Sequence, residues 1–493
     1  MVRTMSLPAH VDVVVVGAGI SGINATYHLT REFPDKTICV LEAHEDLGGT
    51  WLIHNYPGVR SDTELYTLGF DFKPWTGRPY AGGDEIMAYL RETVEEFDLE
   101  QHFTYNSTVN GASWSSESQR WTLEGVNAKT GESFQLTTSF LWMNHGYYEH
   151  AKGYTPSFEG MDRFQGEIVH PQTWTSPDLL GKQVAVIGSG ATMATLVPAI
   201  ADTAAHVTVI QRSPSYFFQS PNRDDLADQL RKLDTPKEWI HEIIRKKAVS
   251  EMETMTKIQM DYPDMSKAGL IKMVADQLPA NYDVETHFTP RHLPHEQRVA
   301  RILNGDLFTA ISNGKVTMVT DTIGHFTETG IVTGGGVTVE ADIVVTATGF
   351  DLSVFGGVQF TVDGHAIDPS KVVTYRGILF TELPNLAWTF GSLRLSWTMR
   401  ANLAAEFIVR LLHHMDELSA TSVLPTLRAE EADMAVGPFI DPSNFNPGYA
   451  ERSRHRSPRS GSLPQWQLDL DYWNEATVLP SAPLDDGCLV FTN

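Results

Sequence analysis

Cysteine is nearly absent. Cys39 and Cys488 are the only two in 493 residues. That count excludes a Cys-x-x-Cys redox centre and argues against a disulfide framework. Basic residues are also in short supply: 37 Lys and Arg stand against 61 Asp and Glu, a net charge of −24. A chain so acidic is a poor fit for nucleic acid or an anionic membrane surface. No apolar run reaches the roughly 18 residues of a spanning helix, and Met1 to His10 lacks the apolar centre of a signal peptide. The expectation is a cytoplasmic protein with no transmembrane segment, in which the sequons at Asn24 and Asn106 have no consequence. Metal-ligand spacing is missing too. His145-Gly146-Tyr147-Tyr148-Glu149-His150 departs from the helical zinc motifs, and Gly146 argues against a helix, so no metal is expected.

What is present is a globular composition, 42% hydrophobic and 20% charged, in a chain long enough for two or three domains. Val11 to Val16 is a short β-branched run that reads as a buried parallel strand. Gly17-Ala18-Gly19-Ile20-Ser21-Gly22 follows at once, with a helical pattern behind it. In such a turn Gly17 makes the tight bend, Gly19 lets a pyrophosphate approach the backbone, and Gly22 lets helix and strand pack closely. The helix N-terminus then presents free N–H groups to the phosphates. A second strand ends in Glu42, a carboxylate placed to accept hydrogen bonds from a ribose. Further on, residues 84 to 97 read as a helix. Short strands near 104–109, 112–114, 121–124 and 133–136 read as a small antiparallel sheet, followed by an apolar strand over 140–143.

A second dinucleotide turn, Gly188-Ser189-Gly190-Ala191-Thr192-Met193, follows the apolar strand 183–187. Met193 stands where a small residue usually packs, which predicts a slightly wider gap between helix and strand. The next strand ends Gln211-Arg212-Ser213, with no ribose-binding acid. Arg212 in that place suits the 2′-phosphate of NADPH. Residues 224 to 290 are mostly helical, and read either as a cover over the active site or as plain packing on the second domain. Ile343 to Thr346 reads as a strand returning the chain towards the first domain. Arg452, Arg454, Arg456 and Arg459 read as a solvated basic loop. The fold class expected is α/β: two dinucleotide-binding, Rossmann-like domains with a helical insertion. Residues 1–146 and 352–493 form one domain, and 147–351 the other.

Two further stretches belong to neither turn. Gly48-Gly49-Thr50-Trp51 and Tyr56-Pro57-Gly58-Val59-Arg60-Ser61-Asp62 make a Gly- and Pro-rich loop carrying an aromatic and a carboxylate, as loops that line a site do. The string Phe164-Gln165-Gly166-Glu167-Ile168-Val169-His170-Pro171-Gln172-Thr173-Trp174 has the form Phe-x-Gly-x-x-x-His-x-x-x-Trp. Both resemble fingerprints of type I Baeyer–Villiger monooxygenases, within the flavin-containing monooxygenase superfamily. Thr175 departs from the usual residue after the Trp. The segments 56–62, 68–75, 186–192 and 304–308 look closest to the ethionamide-activating monooxygenase group.

The resemblance implies an enzyme that holds FAD, consumes NADPH and O2, and converts linear or aromatic ketones to esters or lactones through a C4a-peroxyflavin. Oxidation of thioether sulfur is an implied side activity. It assigns Gly17, Gly19, Gly22, Glu42, Gly49, Thr50, Trp51, Asp62 and Val109 to FAD. Gly188, Gly190, Ala191, Thr192, Arg212 and Ser213 go to NADPH. Arg298 is the implied catalytic cation, with Gln297 where relatives often carry Lys. Asp62 would orient Arg298, and His170 would couple the position of the NADPH domain to catalysis or serve as a satisfied hinge histidine. A flavin N- or S-monooxygenase is the near alternative, and a non-catalytic NADP(H)-sensing flavoprotein the distant one. The latter would keep both glycine turns without needing Arg298, Asp62 or the 164–174 string. Oligomeric state stays open.

Overall fold

The computed structural model describes residues 7–493, so the first part of the segment read for a signal peptide lies outside the described residues. Strand β1 (His10–Val16), helix α1 (Ile20–Glu32) and strand β2 (Ile38–Leu41) form the first β-α-β unit. Val13, Val14 and Val15 are almost wholly buried, as expected of a parallel strand covered on both faces. Helix α2 (Gly83–Glu96) turns Ile86, Tyr89, Leu90 and Val94 into the same core.

The antiparallel strands are longer and fewer than the sequence suggests. Residues 104–109 and 112–114 fall largely on one strand, β3 (Ser107–Ser115), with an irregularity between Val109 and Gly111. Residues 133–136 and 140–143 likewise belong to one strand, β5 (Ser133–Met143), which pairs with β4 (Arg120–Asn127). The first half of β5 serves the antiparallel ladder, and its second half lies parallel to β1. The two sheets are therefore one. The polar stretch Thr137-Thr138-Ser139 that hid this continuity is satisfied inside the sheet: Thr138 Oγ1 donates to the Asp12 carbonyl at 3.2 Å.

The second domain holds a five-stranded, all-parallel sheet. Its strands are β6 (Glu167–Val169), β7 (Gln183–Ile187), β8 (His206–Gln211), β11 (Val316–Thr320) and β12 (Ile343–Thr346), in the order β11-β8-β7-β12-β6. Between β8 and β11 run the paired strands β9 (Phe217–Ser220) and β10 (Ala300–Leu303). Helix α3 (Ala191–Ile200) follows β7 and buries Met193 completely among Val184, Val186 and Val209 in the apolar core. The fingerprint string is thus part of a domain: Glu167–Val169 is its edge strand, and Trp174 is buried in the same core.

Helices α4 (Asp225–Lys232), α5 (Lys237–Asp261), α6 (Pro263–Ala275) and α7 (Val284–Phe288) form the insertion. It packs on both domains. Ala227, Ile240 and Ile244 join the core of the first, while Val274, Leu278 and Phe288 join that of the second. Buried Arg245 donates to the carbonyls of Tyr66 (2.8 Å) and Gly69 (3.0 Å), and His241 accepts from the Trp75 amide at 3.0 Å.

The chain crosses between the domains twice, and the crossings lie side by side. Tyr148 and Leu352 form an isolated antiparallel bridge, the Glu149 amide donates to the Asp351 carbonyl (2.8 Å), and the Tyr154 amide donates to the Gly349 carbonyl (3.0 Å). The basic run expected to be a solvated loop is instead a strap across this junction. Arg452 pairs with Asp351 at 3.0 Å, donates to the Phe350 carbonyl and stacks over Tyr154, while Arg456 donates to the Leu352 carbonyl. These arginines sit where backbone carbonyls of an irregular crossing need donors. After strand β13 (Leu386–Trp388), helix α8 (Trp397–Leu418) completes the first domain. Helix α9 (Tyr472–Val478) is tied to α8 by the buried Arg400–Glu475 pair at 2.8 Å.

Candidate active site

Both dinucleotide turns open on one cavity of about 620 Å³, within the usual range for a ligand pocket. On the first-domain side, Gly17 has φ +103°, and a Cβ there would stand 2.7 Å from the Asn144 carbonyl oxygen. Gly49 faces Gly19 closely enough that a Cβ on Gly49 would lie 3.1 Å from the Gly19 Cα. Side chains at these positions would collide with the backbone that shapes the cradle for a pyrophosphate. Gly22 does a different job: it packs against the Gly17 carbonyl and does not line the cavity. Glu42 does line it. Its carboxylate accepts from the Ala18 amide (2.7 Å), the His44 amide (2.8 Å) and the His44 ring (2.7 Å). Burial alone would raise its pKa, but these hydrogen bonds outweigh burial and hold it below the usual value. Thr50, Trp51 and Val109 also face the cavity. The shape and donor set fit FAD.

From the second domain, Ala191 and Thr192 reach the same cavity at the N-terminus of α3. Gly188 and Gly190 form the turn just before it. Gly190 has open space where a Cβ would point. Arg212 and Ser213 lie beyond the cavity wall, exposed at the end of β8. This is the strand end where α/β sheets bind nucleotide ribose. Among the described residues no carboxylate pairs with Arg212.

Arg298 and Asp62 come together on the cavity wall from segments 236 residues apart in sequence (298 − 62). Their closest nitrogen and oxygen are 3.9 Å apart. The Arg298 Nη2 also reaches the Tyr147 hydroxyl at 3.4 Å, and Tyr147 donates on to Tyr148 at 2.6 Å. Tyr147, the neighbouring Tyr449 and Tyr148, and Asp62 all push the guanidinium pKa further up, so Arg298 stays cationic. About 37% of its side chain is accessible, because it faces the cavity.

His170 is elsewhere. Its Nδ1 accepts from the Gln172 amide (3.1 Å), which leaves Nε2 protonated to donate to the Gly349 carbonyl at 3.2 Å. It does not line the cavity, and burial lowers its pKa to about 4, so it is neutral. The ring instead holds the Gly349 carbonyl, in the crossing between the domains. Of the two readings of the insertion, a cover over the site and plain packing, the cavity lining agrees with the second: none of the described residues lining the cavity comes from 224–290.

Sequence reasoning passed over Tyr147, Tyr148 and Phe350, all of which line the cavity; the segment 391–397, which reads in sequence as lining the substrate side, does line it through Ser392, Leu395 and Trp397. Trp397 stacks on Tyr147 with ring centroids 4.9 Å apart, and its indole donates to the Ser21 hydroxyl at 2.7 Å. A signal was available for the tyrosines. They follow the C-terminal end of an apolar strand, where ligands of α/β sheets bind, but the histidines beside them drew attention to metal. Among the described residues no cluster of three or more His, Cys, Asp or Glu is arranged to hold an ion.

Comparison with known proteins decides the family. The flavin-binding monooxygenase-like family profile matches residues 76–424, and an NAD(P)-binding Rossmann-like domain matches residues 15–76. The chain belongs to the flavin-binding monooxygenase-like family. It is 41% identical over 486 residues to the FAD-containing monooxygenase EthA of Mycolicibacterium smegmatis, covering 98% of this chain and 97% of that one. It is 41% identical over 488 residues to the putative FAD-containing monooxygenase MymA of Mycobacterium tuberculosis, with the same coverage of 98% and 97%. Among solved structures, an oxidized steroid monooxygenase bound to NADP superposes with a TM-score of 0.71 at 25% identity, covering 85% of this chain and 88% of that one. Cyclohexanone monooxygenase from Rhodococcus sp. Phi1 bound to NADP+ shares the fold with a TM-score of 0.71 at 24% identity, covering 86% and 88%. This flavin monooxygenase has no described helix long and apolar enough to cross a membrane.

Proposed function

We propose that this flavin monooxygenase is a Baeyer–Villiger enzyme, converting ketones to esters or lactones with oxidation of thioether sulfur as a side activity. Its cofactors are FAD and NADPH. Bound flavin, once reduced by NADPH, supplies the activation of O2. Everything else falls to the chain. The observation that carries the reading is Arg298: a permanently charged guanidinium on the wall of the shared cavity, with Asp62 beside it and, among the described residues, no closer carboxylate to neutralise it.

A ketone oxygen gains negative charge when its carbonyl carbon is attacked. A planar, always-protonated fork is suited to meet that charge with short hydrogen bonds. Asp62, at 3.9 Å, keeps the fork aimed without capturing it in a tight ion pair. Phe350, Tyr147 and Trp397 supply apolar ring surface that holds a ketone and limits water. His170 holds Gly349 in the crossing between the domains and transfers no proton to substrate.

The test uses the purified holoenzyme with NADPH, air and either phenylacetone or methyl phenyl sulfide, with products resolved by gas chromatography. Benzyl acetate is expected from the ketone and the sulfoxide from the sulfide. NADPH consumption that yields sulfoxide and hydrogen peroxide but no ester would remove the Baeyer–Villiger reading and leave an S-monooxygenase.

A further inference from the structure

A second arginine acts on the Asp62 loop. The Arg301 Nε donates to the backbone carbonyl of Asp62 at 3.2 Å, and its Nη1 donates to the Ser220 hydroxyl at 3.0 Å. The guanidinium carbon lies 4.8 Å from the Tyr80 ring centroid and 4.9 Å from that of Phe218. Tyr80 is itself fixed, because Asn222 accepts from its amide and donates to its carbonyl, both at 2.9 Å. Asp62 and Tyr80 belong to the first domain. Arg301, Phe218 and Ser220 belong to β9 and β10 of the second, where Phe218 and Arg301 are register partners.

The Asp62 carboxylate has no hydrogen bond of its own among the described residues, and its only ion-pair contact is the 3.9 Å approach to Arg298. Its position is therefore set by its backbone, and Arg301 holds that backbone. The approach is too long for a direct hydrogen bond, so a shift of well under an ångström changes whether the carboxylate steers Arg298 at all.

We infer that Arg301 is a positioning residue for the Asp62–Arg298 pair, one that fixes the register of the two domains at the point where the substrate oxygen is met. This rests on the oxygen-transfer role proposed above for Arg298. The job needs a planar fork that donates in two directions while its faces lie against rings, which a lysine cannot reproduce.

The experiment compares Arg301→Lys and Arg301→Met with the unmutated holoenzyme, each also in an Asp62→Ala background. It measures benzyl acetate and hydrogen peroxide formed per NADPH from phenylacetone, with FAD content and Tm recorded for every variant. Both Arg301 variants are expected to retain FAD and to lose ester per NADPH roughly tenfold, the size of one charge-assisted hydrogen bond. In the Asp62→Ala background the same replacements should cost almost nothing more, because no carboxylate is left to position. A purely structural arginine would instead lower Tm and FAD content alike in both backgrounds and leave the ester-to-peroxide ratio alone; that result overturns the inference. So does an equal loss of ester in the two backgrounds. If Arg301→Met does not fold, Arg301→Lys and Ser220→Ala, which removes one anchor of the fork, carry the same comparison. Arg298→Ala is run alongside. If it makes ester at the unmutated rate, the oxygen-transfer reading falls and takes this inference with it. If it loses ester while the Arg301 variants keep theirs, only this inference falls.

Discussion

Arg298 is distinguished from the chain's other buried or half-buried arginines by what it is not doing. Arg60 also lines the cavity, but Asp306 takes its guanidinium at 2.7 Å. Arg400 is held by Glu475, and Arg394 donates to the Asn444 carbonyl at 3.3 Å, off the cavity wall. Among the described residues Arg298 has a carboxylate no nearer than 3.9 Å and a hydroxyl at 3.4 Å, with Tyr449 close by, and so keeps donors for a substrate. Losing one preorganised donor to a developing oxyanion costs about 3–4 kcal/mol, or 10²–10³ in rate. Arg298→Ala should therefore bind FAD yet form ester at least about a hundredfold more slowly, with NADPH oxidation diverted to hydrogen peroxide. Asp62→Ala should show the same defect in milder form. Chromatography of the ester beside a peroxide assay measures both. Arg212 allows a separate prediction. One charge-assisted contact to a 2′-phosphate is worth about 1.5–3 kcal/mol, so NADPH should exceed NADH in kcat/KM by roughly ten- to a hundredfold. Arg212→Ala should erase most of that ratio, and equal use of both nicotinamides by the unmutated enzyme would remove the assignment.

Helix α8 sets the back wall of the cavity. Trp397 is its first residue, and Arg400, one turn along, fixes it to α9 by bidentate hydrogen bonds to Glu475. Arg400 and Glu475 are 2% and 6% exposed at their side chains. Burial raises the Glu475 pKa although Arg400 opposes it, so the carboxylate depends on its partner. Arg400→Leu should destabilise the protein by about 3–5 kcal/mol, the usual cost of leaving one member of a buried pair uncompensated. Arg400→Leu combined with Glu475→Leu should recover much of it. Urea unfolding of the three proteins measures this, and a loss under about 1 kcal/mol for the single variant would show that Glu475 finds solvent or a proton cheaply.

At the scale of the whole molecule, burial depresses the pKa of several histidines among the described residues. Burial lowers the pKa of His145 to about 3 and those of His150, His170 and His241 to about 4, against an ordinary 6.5. His44 runs the other way, its pKa raised chiefly by the hydrogen bond to Glu42. A histidine depressed in the fold takes up its proton first in the unfolded chain. Its stabilising effect is complete above about 6.5 and is lost as pH falls towards about 4. The midpoint of urea denaturation should therefore drop between about pH 7 and about pH 5, with each such proton contributing up to about 1.4 kcal/mol per pH unit. A midpoint that rises over that interval would mean that His44 and other cationic contacts dominate.

The local sequence determined whatever depends on neighbours along the chain. The run Val11 to Val16 with its glycine turn, Glu42 at the end of the next strand, and the second turn at 188–193 each specify a strand, a bend and a helix within a few residues, because steric limits on φ and the period of apolar side chains act at that range. The cavity was decided by the tertiary fold. Arg298 meets Asp62, Trp397 stacks on Tyr147, and Arg452 reaches Asp351 only because the chain crosses between the domains twice and returns. Nothing near Arg452 in sequence distinguishes it from a solvated arginine, and nothing near 133–143 reveals that one strand serves two ladders. Those outcomes follow from which backbone carbonyls and which strand edges are left needing partners once the domains have packed, a condition that exists only in the folded chain.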